Sequence, residues 1–238
     1  MDLQTIETIV LRNIKFDKYA DLSADTDAGK IADFSMLHHS VWLAREEIKL
    51  NCMIPALSKH ATRITTVDGT KAYTISDTDF DLPIKVRYIT SDEEYDLERR
   101  SYENISAVVE KPSSTKGTPV YYIMFGSTSA GLSKIELFPT PEKSTEYIDL
   151  DYKPVLAVLS TSTDEDSAMR KYPMTVVKLA SAYAFQLIRQ DKANFLDWLK
   201  MGYADFQEIN LRETGFDYKP DTFVDDLLKT KRAERLTI

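Results

Sequence analysis

The sequence predicts an α+β protein, with a helical N-terminal part, an antiparallel β-sheet or small sandwich, and a C-terminal helical hairpin with an extended tail. Three observations predict it. Apolar residues recur at helical spacing up to about residue 60 and alternate from about Ile64. After the acidic loop STSTDEDS (160–167) the helical period returns. Glycine and proline stand at the ends of the alternating stretches, where strands turn. These changes divide the chain at 1–60, 61–160, 161–215 and 216–238.

In order along the chain, LQTIETIVLRNI (3–14) places Leu3, Ile6, Val10 and Ile14 on one helical stripe. Asp17–Gly29 is polar, without an apolar period, and reads as a loop. Asp33 is placed to cap a second helix, in which Phe34, Leu37, Val41, Trp42, Arg45 and Ile48 keep i, i+3/i+4 spacing, and Pro55 bounds it. Ile64–Val67 and Thr70–Ile75 flank Asp68-Gly69, a pair suited to a two-residue type I′ hairpin turn, so Gly69 is expected at positive φ. Ile84–Thr90 reads as a third strand with Ile84, Val86 and Tyr88 on one face. The charged stretch SDEEYDLERRSYENI (91–105) reads as a helical excursion. GTPVYYIMFG (117–126), KIELFPTP (134–141) and EYIDLDYKP (146–154) complete a set of about six strands.

In the final third, Pro173 suits a helix first turn. Val177, Ala180, Tyr183, Ala184, Leu187 and Ile188 stripe one helix, and Phe195, Leu199, Phe206 and Ile209 stripe the next. Only Arg189–Lys192 separates them, which predicts a helical hairpin ending at Gly215. Beyond it, Phe223, Val224, Leu227 and Leu228 form one short apolar cluster before a basic end carrying Lys229, Lys231, Arg232 and Arg235. A helix that short is marginal alone in water, so the segment is expected to be a partner-binding tail; the alternative is that the helix packs back on its own domain and the basic end is a solvated terminus.

Composition narrows the function. At 238 residues, 43% hydrophobic and 29% charged, the chain is an ordinary globular protein. Its formal charge of −8 argues against affinity for nucleic-acid phosphates, which requires a basic face. Seven glycines leave few backbone cradles for a nucleotide phosphate. The single cysteine, Cys52, cannot form an internal disulfide and fits a reducing compartment. The first residues lack the basic n-region of a signal peptide, and no apolar run reaches membrane-helix length.

The residues that could carry chemistry have simpler readings. His38 and His39 are adjacent on a helix and point to different faces, while His60 lacks a glutamate or cysteine at ligand spacing. GSTSAG (126–131) has phosphate-loop glycines but no following Lys-Ser/Thr, and reads as a hairpin loop. DTDFD (77–81) and TDEDS (163–167) lack the calcium-loop pattern, and read as a turn and a helix start. Tyr73, Tyr88, Tyr121, Tyr122, Tyr147 and Tyr152 have acidic and threonine neighbours rather than interleaved lysine and arginine, so sheet packing is the better account. No catalytic residue, metal ligand or cofactor site is expected. An enzyme or small-ligand module built on the β part is the alternative, and would need a pocket with convergent polar groups.

The order and spacing of the pieces over roughly residues 33–212 resemble the head–tail connector (adaptor) proteins of tailed bacteriophages. These form the podovirus-like ring below the portal, and the narrower likeness is to ring proteins of crAss-like phages. The matching stretches are ITTVDGTKAYTI, DFDLPIKVRYI, GTPVYYIMFG, IELFPTP and YIDLDYKP, then the helices LASAYAFQLI and NFLDWLKMGYADFQEI. The loop 17–29 and the insertion at 93–105 depart from the pattern. The resemblance implies a structural virion protein in the neck between capsid and tail, assembled in the host bacterial cytoplasm. It implies a homo-oligomeric ring, commonly of twelve copies, that binds the portal and the next tail protein and lets DNA pass without specific binding. On that likeness, the residues from Phe223 to Arg235 reach the portal and the Asp68-Gly69 turn is structural.

Overall fold

A computed structural model describes residues 1–16, 28–108 and 115–214. The chain divides into two compact units: Met1–Leu57 together with the chain from Leu156 onward, and Ser58–Val155 between them. The described residues before Ser58 and after Val155 therefore build one helical body, and the β unit is inserted between them in the sequence.

In the helical unit, α1 (Leu3–Asn13) begins where the Asp2 carboxylate accepts from the Thr5 amide at 2.9 Å. α2 (Ala28–Asn51) starts before the expected Asp33 cap, so Asp33 lies inside the helix. The rest of the expected 17–29 loop, residues 17–27, lies outside the described residues. A short 3₁₀ turn, Pro55–Leu57, closes this part.

α3 (Tyr102–Val108) belongs to the β unit. The helical unit resumes with α4 (Ser167–Lys171), capped by Asp166 through the Met169 amide at 2.9 Å, and α5 (Pro173–Ala184), with proline in its first turn. The expected break at 189–192 is shorter. A π-turn, Phe185–Arg189, continues α5, and only Gln190, in the left-handed region, and Asp191 precede α6 (Lys192–Thr214). The Asp191 carboxylate takes the Ala193 and Asn194 amides, each at 3.1 Å.

α5 is the hub of this unit, with α1, α2 and α6 packed around it. Leu3, Ile6, Val10, Leu37, Val41, Ile48, Val177, Ala180, Phe206 and Ile209 are buried in one core with Cys52. Each large aliphatic or aromatic side chain so buried contributes about 1.5–3 kcal/mol. Gly202 brings α6 tightly onto α5, because a Cβ there would lie 2.4 Å from Leu179 Cδ2. Glu47 of α2 accepts the Tyr183 and Tyr203 hydroxyls, both at 2.6 Å, and burial together with that carboxylate pushes both phenols up.

The β unit has two sheets. The first holds β1 (Lys59–His60), β9 (Tyr147–Pro154), β4 (Phe80–Ile89) and β5 (Glu94–Asp96) in that order, with β2 (Ile64–Thr65) also on β9. The second runs β3 (Ala72–Thr74), β8 (Ser133–Phe138), β7 (Tyr121–Ser127) and β6 (Glu98–Arg99). All pairings are antiparallel except β6 with β7. One core lies between the sheets: Val86, Tyr88, Ile148 and Leu150 from the first meet Tyr73, Tyr122, Ile135 and Leu137 from the second. The other face of the second sheet carries Ile123 and Phe138 against Ile105 of α3.

Three expectations are corrected here. The strands flanking Asp68-Gly69 do not pair with one another: β2 joins β9 in one sheet and β3 joins β8 in the other. The stretch is a crossing between layers, not a hairpin. Secondly, 91–105 is not a helical excursion throughout, since β5 and β6 precede α3. Glu94 and Asp96 sit on an edge strand, where exposed charge also discourages pairing with another chain. Thirdly, Ile84 does not share the buried face of Val86 and Tyr88. A register shift between Pro83 and Lys85 leaves Ile84 and Lys85 exposed in succession.

Candidate functional site

The helical unit carries a groove of about 260 Å³. Its apolar walls are Leu3, Val41, Trp42, Val158 and Leu159, and its polar lining is Ser35, His38, His39 and Arg45. The helical period of α2 sets His38, Trp42 and Arg45 on one side, and His39 stacks on Trp42 with ring centroids 5.5 Å apart. The two charged positions are held from behind. His38 Nδ1 ion-pairs with the fully buried Glu7 of α1, and this hydrogen bond raises the imidazole above its usual range against the opposing effect of burial. Arg45 Nε donates to Asp166 at 2.6 Å and its Nη2 to the Ala157 carbonyl at 3.0 Å. No carboxylate is among the lining residues.

The first sheet carries a charged face. Arg63 forks onto Asp149 at 2.7 and 2.9 Å, which holds the Asp149 carboxyl below the usual range. Arg87 reaches Glu94 at 3.1 Å and Asp151 at 3.4 Å, and His60 Nδ1 is 2.9 Å from Asp151. Arg63 and Arg87 are thus held by carboxylates on the same surface.

Among the described residues, no group of three or more histidine, cysteine, aspartate or glutamate side chains could hold a metal ion, and no helix is long and apolar enough to cross a membrane. The family model of the SU10 adaptor protein matches residues 17–222. The chain belongs to this family. It is a structural adaptor of the phage head–tail junction, a virion component. Among solved structures, a chain from the neck of an empty GTA particle computed with C6 symmetry is similar over 81% of this chain and 92% of its own. The identity is 11% and the TM-score 0.24, so this likeness carries no argument. No curated protein matches the chain.

In the adaptor, the Asp68-Gly69 turn is fastened on several sides. Gly69 has φ +73° and the Thr70 amide donates to the Val67 carbonyl at 3.0 Å. Asp68 is not among the residues at positive φ, so the pattern is that of a type II turn rather than the type I′ expected for a hairpin. The Gly69 amide donates to Pro141 at 2.9 Å, Asp68 pairs with Lys116 at 2.8 Å, and the Tyr73 hydroxyl donates to Thr70 at 2.6 Å. The turn locks the passage between two sheets.

The other singled-out residues are occupied structurally. Asp77 accepts the Thr62 amide at 3.0 Å; Asp79 pairs with Lys59 and accepts the Tyr152 hydroxyl at 2.7 Å. Asp164 is lowered to about 2 by bonds from Thr161 and Ser160, which fix the loop before α4. GSTSAG closes the β7–β8 hairpin, with Gly126 and Gly131 at positive φ. Tyr73, Tyr88, Tyr122 and Tyr152 are buried in the sandwich. The tail residues Phe223, Val224, Leu227, Leu228, Lys229, Lys231, Arg232 and Arg235, and the Gly215 stop, lie outside the described residues. Sequence reasoning missed Glu7 and the groove. A glutamate in the middle of an apolar helical stripe, at the position after Ile6, was the available signal.

Proposed function

We propose that this adaptor assembles as a closed ring, commonly of twelve copies in related adaptors, between the portal and the next tail protein, encloses the DNA channel, and performs no catalysis. Its membership of the adaptor family carries the reading. The charged face of the first sheet supports it. A wall past which DNA slides should not hold phosphates, and here Arg63, Arg87 and His60 are engaged by Asp149 and Asp151, in a chain of net charge −8. The sandwich also supports it, because a ring closed by head-to-tail contacts tolerates little angular error and needs stiff protomers. The residues 216–238 form the portal-binding tail, through the apolar cluster Phe223, Val224, Leu227 and Leu228 and the cations Lys229, Lys231, Arg232 and Arg235.

The experiment is co-assembly with purified portal protein, read by native mass and electron microscopy. The full chain is expected to decorate portals as a ring, and a chain lacking residues 217–238 to remain folded and fail to attach. Normal decoration by the truncated chain overturns the tail, and a tightly held metal or nucleotide in the purified adaptor overturns the non-catalytic reading.

A further inference from the structure

α2 also carries an exposed apolar stripe whose C-terminal end lies beside the end of α6. On α2, Met36, Leu43 and Leu50 follow one another at seven-residue spacing; Met36 is 39% and Leu50 52% exposed, and Leu43 is half-buried. Met53, just past the helix, is also exposed, as is Trp42 at the groove, and Val158 on its rim is 82% exposed. The end of α6 is pinned to the far end of this stripe: Asn210 donates to the Asn51 carbonyl at 3.1 Å and accepts the Met53 amide at 2.7 Å.

The segment that follows α6 has the complementary chemistry. Phe223, Val224, Leu227 and Leu228 fall on one helical face, flanking Asp225 and Asp226, and no cation occurs between Asp221 and Leu228. The groove presents apolar walls with His38 and Arg45, and no carboxylate in its lining. The distances permit the match. From Asn51 back to Trp42 is nine residues of helix, about 14 Å, and Asn210 to Thr214 adds about 6 Å. The eight residues 215–222 span up to about 26–29 Å, which leaves length to pass round α2 from its α6 side.

We propose that in the free protomer the Phe223–Leu228 segment of the same chain lies along the exposed face of α2 and seats its apolar residues in the Trp42 groove. The groove is thus an intramolecular latch for the tail. Release of the latch uncovers the α2 stripe at the moment the tail is engaged elsewhere; only this consequence rests on the portal reading.

The test uses the full chain with Trp198→Phe, so that Trp42 is the sole tryptophan. Its emission and acrylamide quenching are compared with those of the same chain carrying Leu227→Asp and Leu228→Asp, with far-ultraviolet circular dichroism to confirm that the fold is kept. The latch predicts that the tail variant shifts Trp42 emission to the red and increases its quenching, independently of protein concentration. Val158→Asp, on the groove side, should give the same shift with the tail intact, and adding a synthetic 216–238 peptide to the tail variant should reverse it. Unchanged Trp42 accessibility in the tail variant overturns the proposal. Shielding that grows with concentration and accompanies a larger mass also overturns it, in favour of a second copy on the groove. Loss of portal attachment with Trp42 shielding intact, or the reverse, separates the two readings of the tail.

Discussion

Gly202→Ala sets two effects of known sign against each other in the helical unit. Alanine in place of glycine within a helix favours folding by up to about 1 kcal/mol through backbone entropy. At this position the new Cβ would lie 2.4 Å from Leu179 Cδ2 and 2.7 Å from its Cγ. A clash with a terminal methyl could be relieved by turning χ2, but Cγ is placed by χ1, so Leu179 must leave its rotamer or α5 and α6 must separate. Leu179 is fully buried, and overpacking of such a site costs about 1–3 kcal/mol, with an off-rotamer side chain at about 0.5–1.5 kcal/mol as part of it. The clash wins by about 1–2 kcal/mol. For a chain of this length that lowers the thermal midpoint by roughly 2–8 °C. The assay is thermal unfolding followed by circular dichroism for the wild type, Gly202→Ala, Leu179→Ala and the double variant. Leu179→Ala alone costs about 2–5 kcal/mol through the cavity it leaves. In that background Gly202→Ala should become neutral or stabilising, a coupling of more than about 1 kcal/mol. A Gly202→Ala protein as stable as the wild type, or strict additivity in the double variant, refutes the reasoning.

Gly69→Val should cost about 1–3 kcal/mol in a urea titration, because φ +73° is strained for a β-branched residue. Unchanged stability with lost assembly would instead make the turn a contact surface. The Glu7–His38 pair predicts a pH dependence. The folded imidazole is raised above its unfolded value of 6.5, so the pair's stabilisation is fully present below pH 6.5 and is lost as pH rises through the higher folded value. His38→Gln should therefore flatten the decline of the thermal midpoint above pH 6.5, and an unaltered slope would show that the pair does not titrate in this way.

Much of the helical unit was legible because its signals are local. The stripe Leu3, Ile6, Val10 and Ile14 is buried as spaced, Pro173 stands in a first turn, and the two C-terminal helices adjoin across two residues. Helical period and first-turn chemistry depend on neighbours within a few residues, which the sequence states directly. The backbone sign at Gly69 belongs with these, since glycine at the second central position of a turn favours the types with positive φ there, whichever strands the turn joins.

Partner choice in the sheets was decided elsewhere. Alternation tells which side chains share a face but not which strand lies alongside, so Ile64–Thr65 and Ala72–Thr74 read as a hairpin, yet they join β9 and β8, more than fifty residues downstream. The charged stretch 91–105 has no apolar period of its own, and the partners available in β4 and β7 made its first part strand. At Ile84 the shift beside Pro83 reversed the face, which alternation by itself does not register. The groove, the buried Glu7–His38 pair and the close approach at Gly202 join segments far apart in sequence: α1 with α2, α2 with the 158–159 loop, α5 with α6. Composition and period determined the kinds of element and the family they spell. Which surfaces those elements leave open was decided by packing, because a side chain's neighbours across a fold are fixed by chain closure and not by its place in the sequence.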